Sequence, residues 1–358
     1  MKKKKKKKKR KLVVMVSVLI CLTLGAVGLT GCGGGKDDAE KVTEWSFYSP
    51  YGPEDSACCE IWTNLFDQIE KETDGQLVIK TYWSGQHPYE GSDMLKVVDE
   101  GIAQMSHFYG GYVTSVDPAF GVDTLPLLFP ADSMKAWDIN KQLWGDFKQD
   151  KNGLLEKKLE EDWNATMVHM VPATAQRLMT MGYGVDTTEG LKGHKVRVYS
   201  SEFGKFVEAL GGTPVTIESS EVYTALSTNL IDAVTTGVQF ATSNGYFDYC
   251  DTINLWEISQ SSDGLMVNMD ALNALPDDVR TTFLNIMSES ANKPEMKEVE
   301  ENAALVKQHE EKGVKVVTPS DEVREKIAAQ LSKSVWTPWA ESAGELGQQL
   351  LELVSSQN

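Results

Sequence analysis

The sequence predicts an α/β fold built from mostly parallel sheets flanked by helices, and three observations carry this. From residue 43 onward, short apolar runs alternate with amphipathic helical patterns. One stretch, 195–234, reads as a complete strand–helix–strand–helix–strand block. The composition, 41% hydrophobic and 24% charged over 358 residues, is that of a globular chain with enough apolar material for one large or two medium domains.

The elements follow in order. Val42 to Tyr48 reads as a strand and Ser49-Pro50-Tyr51-Gly52-Pro53 as a loop. A helix from about Glu54 to Glu72 carries the stripe Cys58, Trp62, Leu65, Phe66, Ile69 at helical spacing and stops at Thr73-Asp74-Gly75. Leu77 to Tyr82 is the next strand, followed by a helix around Asp93 to Gly101 and a strand near Ala103 to Phe108. In Lys195 to Tyr199 the residues alternate, so Val196 and Val198 share one face and Arg197 takes the other. Phe203, Phe206, Val207 and Leu210 form a helical stripe that Gly211-Gly212 ends. Pro214 to Ile217 is a strand, and Ser219 or Ser220 is placed to cap the helix bearing Val222, Tyr223 and Leu226. Leu230 to Val234 closes the block. Ligand crevices in such sheets lie beyond the carboxyl ends of the strands. Further on, Pro276 to Gly313 reads as a long charged helix interrupted at Pro294. Val314 to Val317 is a strand, Thr318-Pro319-Ser320-Asp321 opens another helix, and Pro338 bends or breaks it. Nothing before residue 340 has the composition of a linker, which favours two domains joined by crossing strands.

Charge excludes one class of partner. Ten of the 35 cations fall within the first eleven residues, so the remainder carries 25 cations against 52 anions, a net of −27. Phosphate backbones are bound by clustered Lys and Arg, so no nucleic-acid partner is expected.

The front end reads as an address. The basic run precedes the apolar Leu12 to Leu29, which ends in Leu29-Thr30-Gly31-Cys32. This resembles the bacterial lipobox, which implies cleavage before Cys32 and lipid attachment to it. Residues 1–31 are then a signal peptide, 32–42 a flexible tether, and the membrane is met through the lipid anchor only. Cys21 leaves with the signal. Cys58, Cys59 and Cys250 remain, an odd set that reads as buried thiols, with a Cys250 bridge to one of the pair left open.

Motifs for catalysis are missing: no G-x-S-x-G, Walker A, H-E-x-x-H or C-x-x-C is present. The five histidines stand singly, and His107 reads as an ordinary partly buried ring in a strand. The arginines say more. Arg197, on a strand of so acidic a chain, is explained either by an internal salt bridge or by a ligand carboxylate gripped with two parallel hydrogen bonds. Arg177 lies in an apolar neighbourhood, and Tyr51, Trp83, Phe108, Tyr109 and Phe240 sit at strand ends or loops where they can wall a cleft.

Several motifs come in a fixed order: Thr73-x-Gly75-x-Leu77, Gly85-Gln86, Leu125 to Phe129, Leu191-Lys192-Gly193-His194-Lys195-Val196-Arg197, Glu221 to Leu226, Ile231-Asp232 and Leu275-Pro276. Together, over residues 43–345, they resemble the solute receptors of tripartite ATP-independent periplasmic (TRAP) transporters, the dicarboxylate-binding-protein family. The resemblance implies a periplasmic-binding-protein-like fold, with two α/β domains closing around an organic acid and a long helix crossing both. The domains would be 43–173 with 262–302 and 174–261 with 303–346, leaving 347–358 as a tail. It implies Arg197 as the carboxylate clamp, Arg177 as a second cation, and TRAP integral membrane subunits as partners, with no cofactor. Two departures leave the acid open. The family often reads Gly-Gln-Glu-Asn where this chain has Ala233-Val234-Thr235-Thr236, so Thr236 stands in for the amide, and an expected aromatic is Ser219. Phe108, Tyr109 and Phe240 are the expected cleft walls. The expectation is therefore an extracytoplasmic, lipid-anchored solute receptor and not an enzyme, with a lipid-anchored hydrolase or a structural surface lipoprotein as the alternatives.

Overall fold

The computed structural model describes residues 42–145, 153–173, 175–291 and 297–357. The residues expected to be signal peptide (1–31), Cys32 and the expected tether up to residue 41 lie outside the described residues. Among the described residues, no helix is long and apolar enough to cross a membrane.

Eleven strands are described: β1 (Thr43–Tyr48), β2 (Leu77–Tyr82), β3 (Met105–Tyr109), β4 (Ala165–Pro172), β5 (Arg177–Thr180), β6 (Lys195–Val198), β7 (Thr213–Thr216), β8 (Ala233–Thr236), β9 (Thr252–Asn254), β10 (Ser262–Asn268) and β11 (Lys315–Val317). They form two sheets, ordered β2-β1-β3-β10-β4 and β11-β9-β5-β8-β6-β7. The expectation of mostly parallel sheets needs one correction per sheet. β10 runs antiparallel to β3 and β4, and β5 runs antiparallel to β8 and β9, so both sheets are mixed.

The cause is the way the chain changes sheets. The parallel strands of both sheets end toward the space between them. A strand arriving directly from the other sheet therefore enters at those carboxyl ends and runs the opposite way, whereas β11, reached through the helix Lys297–Glu311, runs parallel to β9. Two crossings go directly from strand to strand, from β4 into β5 and back from β9 into β10. The two crossings are bonded to each other: Ala173 N–H donates to Ser261 O at 2.9 Å, Gln176 N–H to Ser259 O at 3.1 Å, and Ile258 N–H to Gln176 O at 2.7 Å. Leu127, in the Leu125 to Phe129 motif, donates its N–H to Ile258 O at 2.7 Å and ties that motif to the return crossing.

Local sequence accounts for the flanking helices. Ser56 caps the helix Ala57–Glu72, and its stripe of Cys58, Trp62, Leu65, Phe66 and Ile69 is buried. Phe47 of β1 meets Trp62 and Phe66 edge-on at 5.8 and 5.2 Å. The predicted block at 195–234 is realised as parallel β8-β6-β7, with the helix Ser201–Ala209 capped by Ser200. The long helix expected over 276–313 is described as Asp277–Ala291 and Lys297–Glu311, on either side of 292–296. The first packs on β4 and on helix Ala57–Glu72, the second on β11 and on helix Val238–Ser243.

Ser320 caps the helix Asp321–Leu331 as the sequence suggests. Pro338 has no N–H to donate. The turn before it widens, with Thr337 N–H reaching back to Ser332 O, and a new helix, Thr337–Ser342, follows. The indoles of Trp336 and Trp339 then donate to Pro126 O and Pro118 O at 3.0 and 2.7 Å. The stretch read as a tail is helical through Ser355, with Leu350 and Val354 fully buried. Cys58, Cys59 and Cys250 are buried and none is in a disulfide, so the bridge left open by the sequence does not form.

Candidate functional site

A cleft of about 570 Å³, its open mouth included, lies at the carboxyl ends of both sets of parallel strands. Tyr51, Asp55, Tyr109, Tyr112 and Asp263 line it from the first sheet's side. Arg197, Tyr199, Ser219, Thr236 and Phe240 line it from the second, and Ala173 and Gln176 of the crossing lie between.

Arg197 is the centre of the second wall. It sits in β6 between β7 and β8, and 4% of its surface is exposed. Its Nε donates to Ile217 O at 2.9 Å, Nη1 to Thr235 O at 3.5 Å and Nη2 to Ser219 Oγ at 3.2 Å. Every partner is neutral. Among the described residues, no carboxylate comes within ion-pair distance of this guanidinium. The internal-salt-bridge reading of Arg197 therefore fails. A buried cation with no counter-charge is costly unless an anion reaches it. Neither Ser219 nor Ser220, the two expected caps of the following helix, caps it, and Ser219 instead holds Arg197. That helix begins at Val222 through a tight turn at Ser219–Glu221 with no side-chain cap.

The other expected site residues divide. Thr236, at the end of β8, and Phe240, just after it, line the cleft together with Tyr109. Phe108 does not. Successive residues of β3 face opposite sides, and Phe108 packs in the core against Phe120 and Trp144 at 5.5 and 5.0 Å. Arg177 is also outside the lining. It forms the salt bridge that Arg197 lacks, with Nε and Nη2 reaching Glu257 at 2.9–3.2 Å. Its Nη1 is buried without a partner.

Sequence reading missed Asp55, Tyr112, Tyr199 and Asp263. Tyr199 had a signal, because it lies two residues beyond Arg197 on the same face. Asp263 had none, since it ends the polar stretch Ser259 to Asp263 ahead of Leu265 to Val267. Tyr109 OH and Tyr199 OH are 3.3 Å apart, and Ser261 Oγ donates to Tyr109 OH at 3.3 Å. Burial pushes the phenol of Tyr112 up to about 12 and raises those of Tyr51, Tyr109 and Tyr199 as well, so all four remain neutral hydroxyls.

Beneath the first wall, His107, expected to be a partly buried ring, is fully buried and bonded on both ring nitrogens. Nδ1 lies 3.3 Å from Ser49 Oγ and Nε2 lies 2.6 Å from Asp263 Oδ1. Tyr51 OH donates to the same Oδ1 at 3.3 Å. The Cys58 thiol stands beside this pair, all ligating atoms falling within 4.8 Å of one another. The 2.6 Å separation is that of a direct hydrogen bond, with no space for an ion between ring and carboxylate.

Residues 49–342 match the family described as bacterial extracellular solute-binding protein, family 7. This chain belongs to that family. It is thus a solute receptor of the TRAP type, as the ordered motifs indicated, and its place is extracytoplasmic. A solute-binding protein of Chromohalobacter salexigens is 22% identical over 223 residues; the match spans 61% of this chain and about three fifths (61%) of that relative's length. The ectoine-binding periplasmic protein TeaA of Halomonas elongata is 22% identical over 74% of this chain and 76% of its own. A Bordetella pertussis extracytoplasmic solute receptor binding pyroglutamic acid has the same fold, with a TM-score of 0.77 at 19% identity, covering 88% of this chain and all (100%) of that one. Within this family-7 receptor, the departure at Ala233 to Thr236 has a structural role: Thr235 Oγ1 donates to the Arg197 carbonyl at 3.1 Å, and Thr236 borders the cleft.

Proposed function

We propose that this receptor captures a small organic carboxylate in the cleft between its two sheets and hands it to the integral membrane subunits of a TRAP transporter. One observation carries the reading: Arg197 is a buried guanidinium held in place by carbonyls and a hydroxyl, with no acid of its own. Fixed but uncompensated, it is suited to receive a carboxylate on its planar fork. Thr236 and the Tyr109 hydroxyl supply neutral polar contacts, and Phe240 an apolar wall. The relatives named for ectoine and pyroglutamic acid, both carboxylates, support the class but not the particular acid. The domains of this reading are 43–173 with 262–302 and 174–261 with 303–346, hinged at the paired crossings. Cys32 carries the lipid that keeps the receptor at the membrane.

Ser49, His107 and Asp263 form a serine–histidine–aspartate chain, an arrangement that also serves acyl transfer. Here its order is inverted relative to the cleft. Asp263 borders the cleft, while Ser49 has no exposed surface and its Oγ accepts the Tyr51 N–H at 3.2 Å. A nucleophile must reach substrate, so the chain serves binding and not turnover. Native mass spectrometry of the freshly purified full-length protein tests the reading. A co-purified organic acid, recovered chemically unchanged, is the expected result; turnover of the bound acid would point to the hydrolase instead.

A further inference from the structure

The cleft holds more charge than one carboxylate ligand satisfies. Arg197 is the single Lys or Arg among its described lining residues, and it stands on the second sheet's wall. Asp55 and Asp263 stand on the first sheet's wall. Among the described residues, neither has a Lys or Arg partner: Asp55 accepts the N–H of Gly52 at 2.6 Å, and Asp263 is bonded by His107 and Tyr51.

Ser49 Oγ accepts the Tyr51 N–H and lies 3.3 Å from His107 Nδ1, while His107 Nε2 lies 2.6 Å from Asp263 Oδ1, which also accepts the Tyr51 hydroxyl. Two carboxylates, Asp55 and Asp263, thus stand on the wall opposite the single guanidinium. A purely anionic ligand bound on Arg197 would face two carboxylate side chains across the cleft. On the same wall as the two carboxylates stand the rings of Tyr51, Tyr109 and Tyr112, with Tyr112 5.1 Å from Tyr109 and 6.2 Å from Tyr51. Such faces attract a cation. The Tyr112 phenol senses both sets of charge: burial raises its pKa most, Arg197 lowers it, and Asp263 and Asp55 raise it.

We infer that the ligand is zwitterionic, with its carboxylate on Arg197 and a cationic nitrogen lodged against Tyr51, Tyr109 and Tyr112 and facing Asp263 and Asp55. The inference rests on the carboxylate reading of Arg197 and narrows it.

Matched probes that differ only at the nitrogen test it: glycine betaine against 3,3-dimethylbutanoate, β-alanine against butanoate, and pipecolate against cyclohexanecarboxylate. Each is titrated calorimetrically into the full-length protein and into Asp263→Asn, Asp55→Asn and Arg197→Lys variants whose circular dichroism matches the parent. In at least one pair the nitrogen-bearing member should bind about tenfold tighter or more, and that preference should fall toward unity in an aspartate variant. Asp55, partly exposed, keeps the test open if Asp263→Asn does not fold. Equal or tighter binding of the carbon isosteres, or no binding by any nitrogen-bearing member, overturns the inference. A preferred probe whose affinity is untouched by Arg197→Lys overturns the carboxylate reading beneath it.

Discussion

Arg197 and Thr235 hold each other in a reciprocal pair. The guanidinium Nη1 donates to the Thr235 carbonyl at 3.5 Å, and Thr235 Oγ1 donates to the Arg197 carbonyl at 3.1 Å. The two residues come from β6 and β8, which run parallel side by side, so sheet pairing itself aims the guanidinium at the cleft. Thr235 is fully buried. Its hydroxyl is thus a structural support for the site and not a ligand contact.

Thr235→Val keeps the shape of that side chain and removes the hydroxyl. The Arg197 carbonyl loses its donor from Oγ1, and the expected loss of stability is about 1–3 kcal/mol. Urea denaturation reads this directly. Ligand affinity should fall too, because the fork is less firmly placed. Unchanged stability together with unchanged affinity would show the pair to be incidental.

Asp123 predicts a pH dependence unrelated to ligand. It is buried, its Oδ2 accepts the Ser262 N–H at 3.0 Å, and its Oδ1 has no partner. Burial, assisted by the nearby Asp263, pushes its pKa up to about 8. An acid whose folded pKa lies above its unfolded one binds the extra proton in the folded state. Its contribution to stability is therefore complete below the ordinary carboxylate range and is lost as pH rises toward about 8. Denaturation midpoints should decline between pH 5 and pH 8.5, and Asp123→Asn should flatten that decline. A variant with the same slope as the parent would clear Asp123 of the effect.

His169 acts at the acid end. The Trp62 indole donates to its Nδ1 at 3.2 Å, so the ring is neutral with the proton on Nε2, facing Ser290 Oγ at 3.0 Å. Burial lowers its pKa to about 3. The unfolded ring takes a proton near pH 6.5, so stability should be lost as pH falls from there toward about 3. His169→Gln keeps neutral hydrogen-bonding capacity and should lessen the acid-side loss in the same denaturation series.

How much of this was legible depended on how local each feature is. The block at 195–234 was read nearly element for element, because Val196, Arg197 and Val198 alternate and the stripe of Phe203, Phe206 and Val207 is helical. Strand direction is not local. β5 and β10 are reversed because of where the chain changes sheets, and no periodicity within Arg177–Thr180 or Ser262–Asn268 records that. Pairing across the chain is equally invisible: Arg177 meets Glu257 80 positions away. Phe108 and Tyr109 are a different case. Alternation alone forbids two consecutive strand residues from walling one cleft, so the choice between them was open to sequence reasoning.

The anchor is a separate question, raised by Leu29 to Cys32. Cys32→Ser should abolish incorporation of a labelled fatty acid in cells and release the receptor from the membrane fraction. Equal label in variant and parent would rule the anchor out.

The sharpest prediction concerns Arg197 itself. A guanidinium and a carboxylate share two parallel hydrogen bonds, and in a cleft with this much burial water does little to replace them. Lysine in its place keeps the charge but offers no planar fork, and its ammonium cannot serve Ile217 O, Thr235 O and Ser219 Oγ while also gripping a ligand. Arg197→Lys should therefore weaken binding by about 30-fold or more, corresponding to at least ~2 kcal/mol. Stability should respond much less, because the parent guanidinium already carries the cost of an unpaired buried charge. Calorimetric titration with the acid recovered from the native protein, paired with a thermal melt, separates the two effects. A variant that melts much lower yet binds with parental affinity would place Arg197 in the scaffold and leave the site without its clamp.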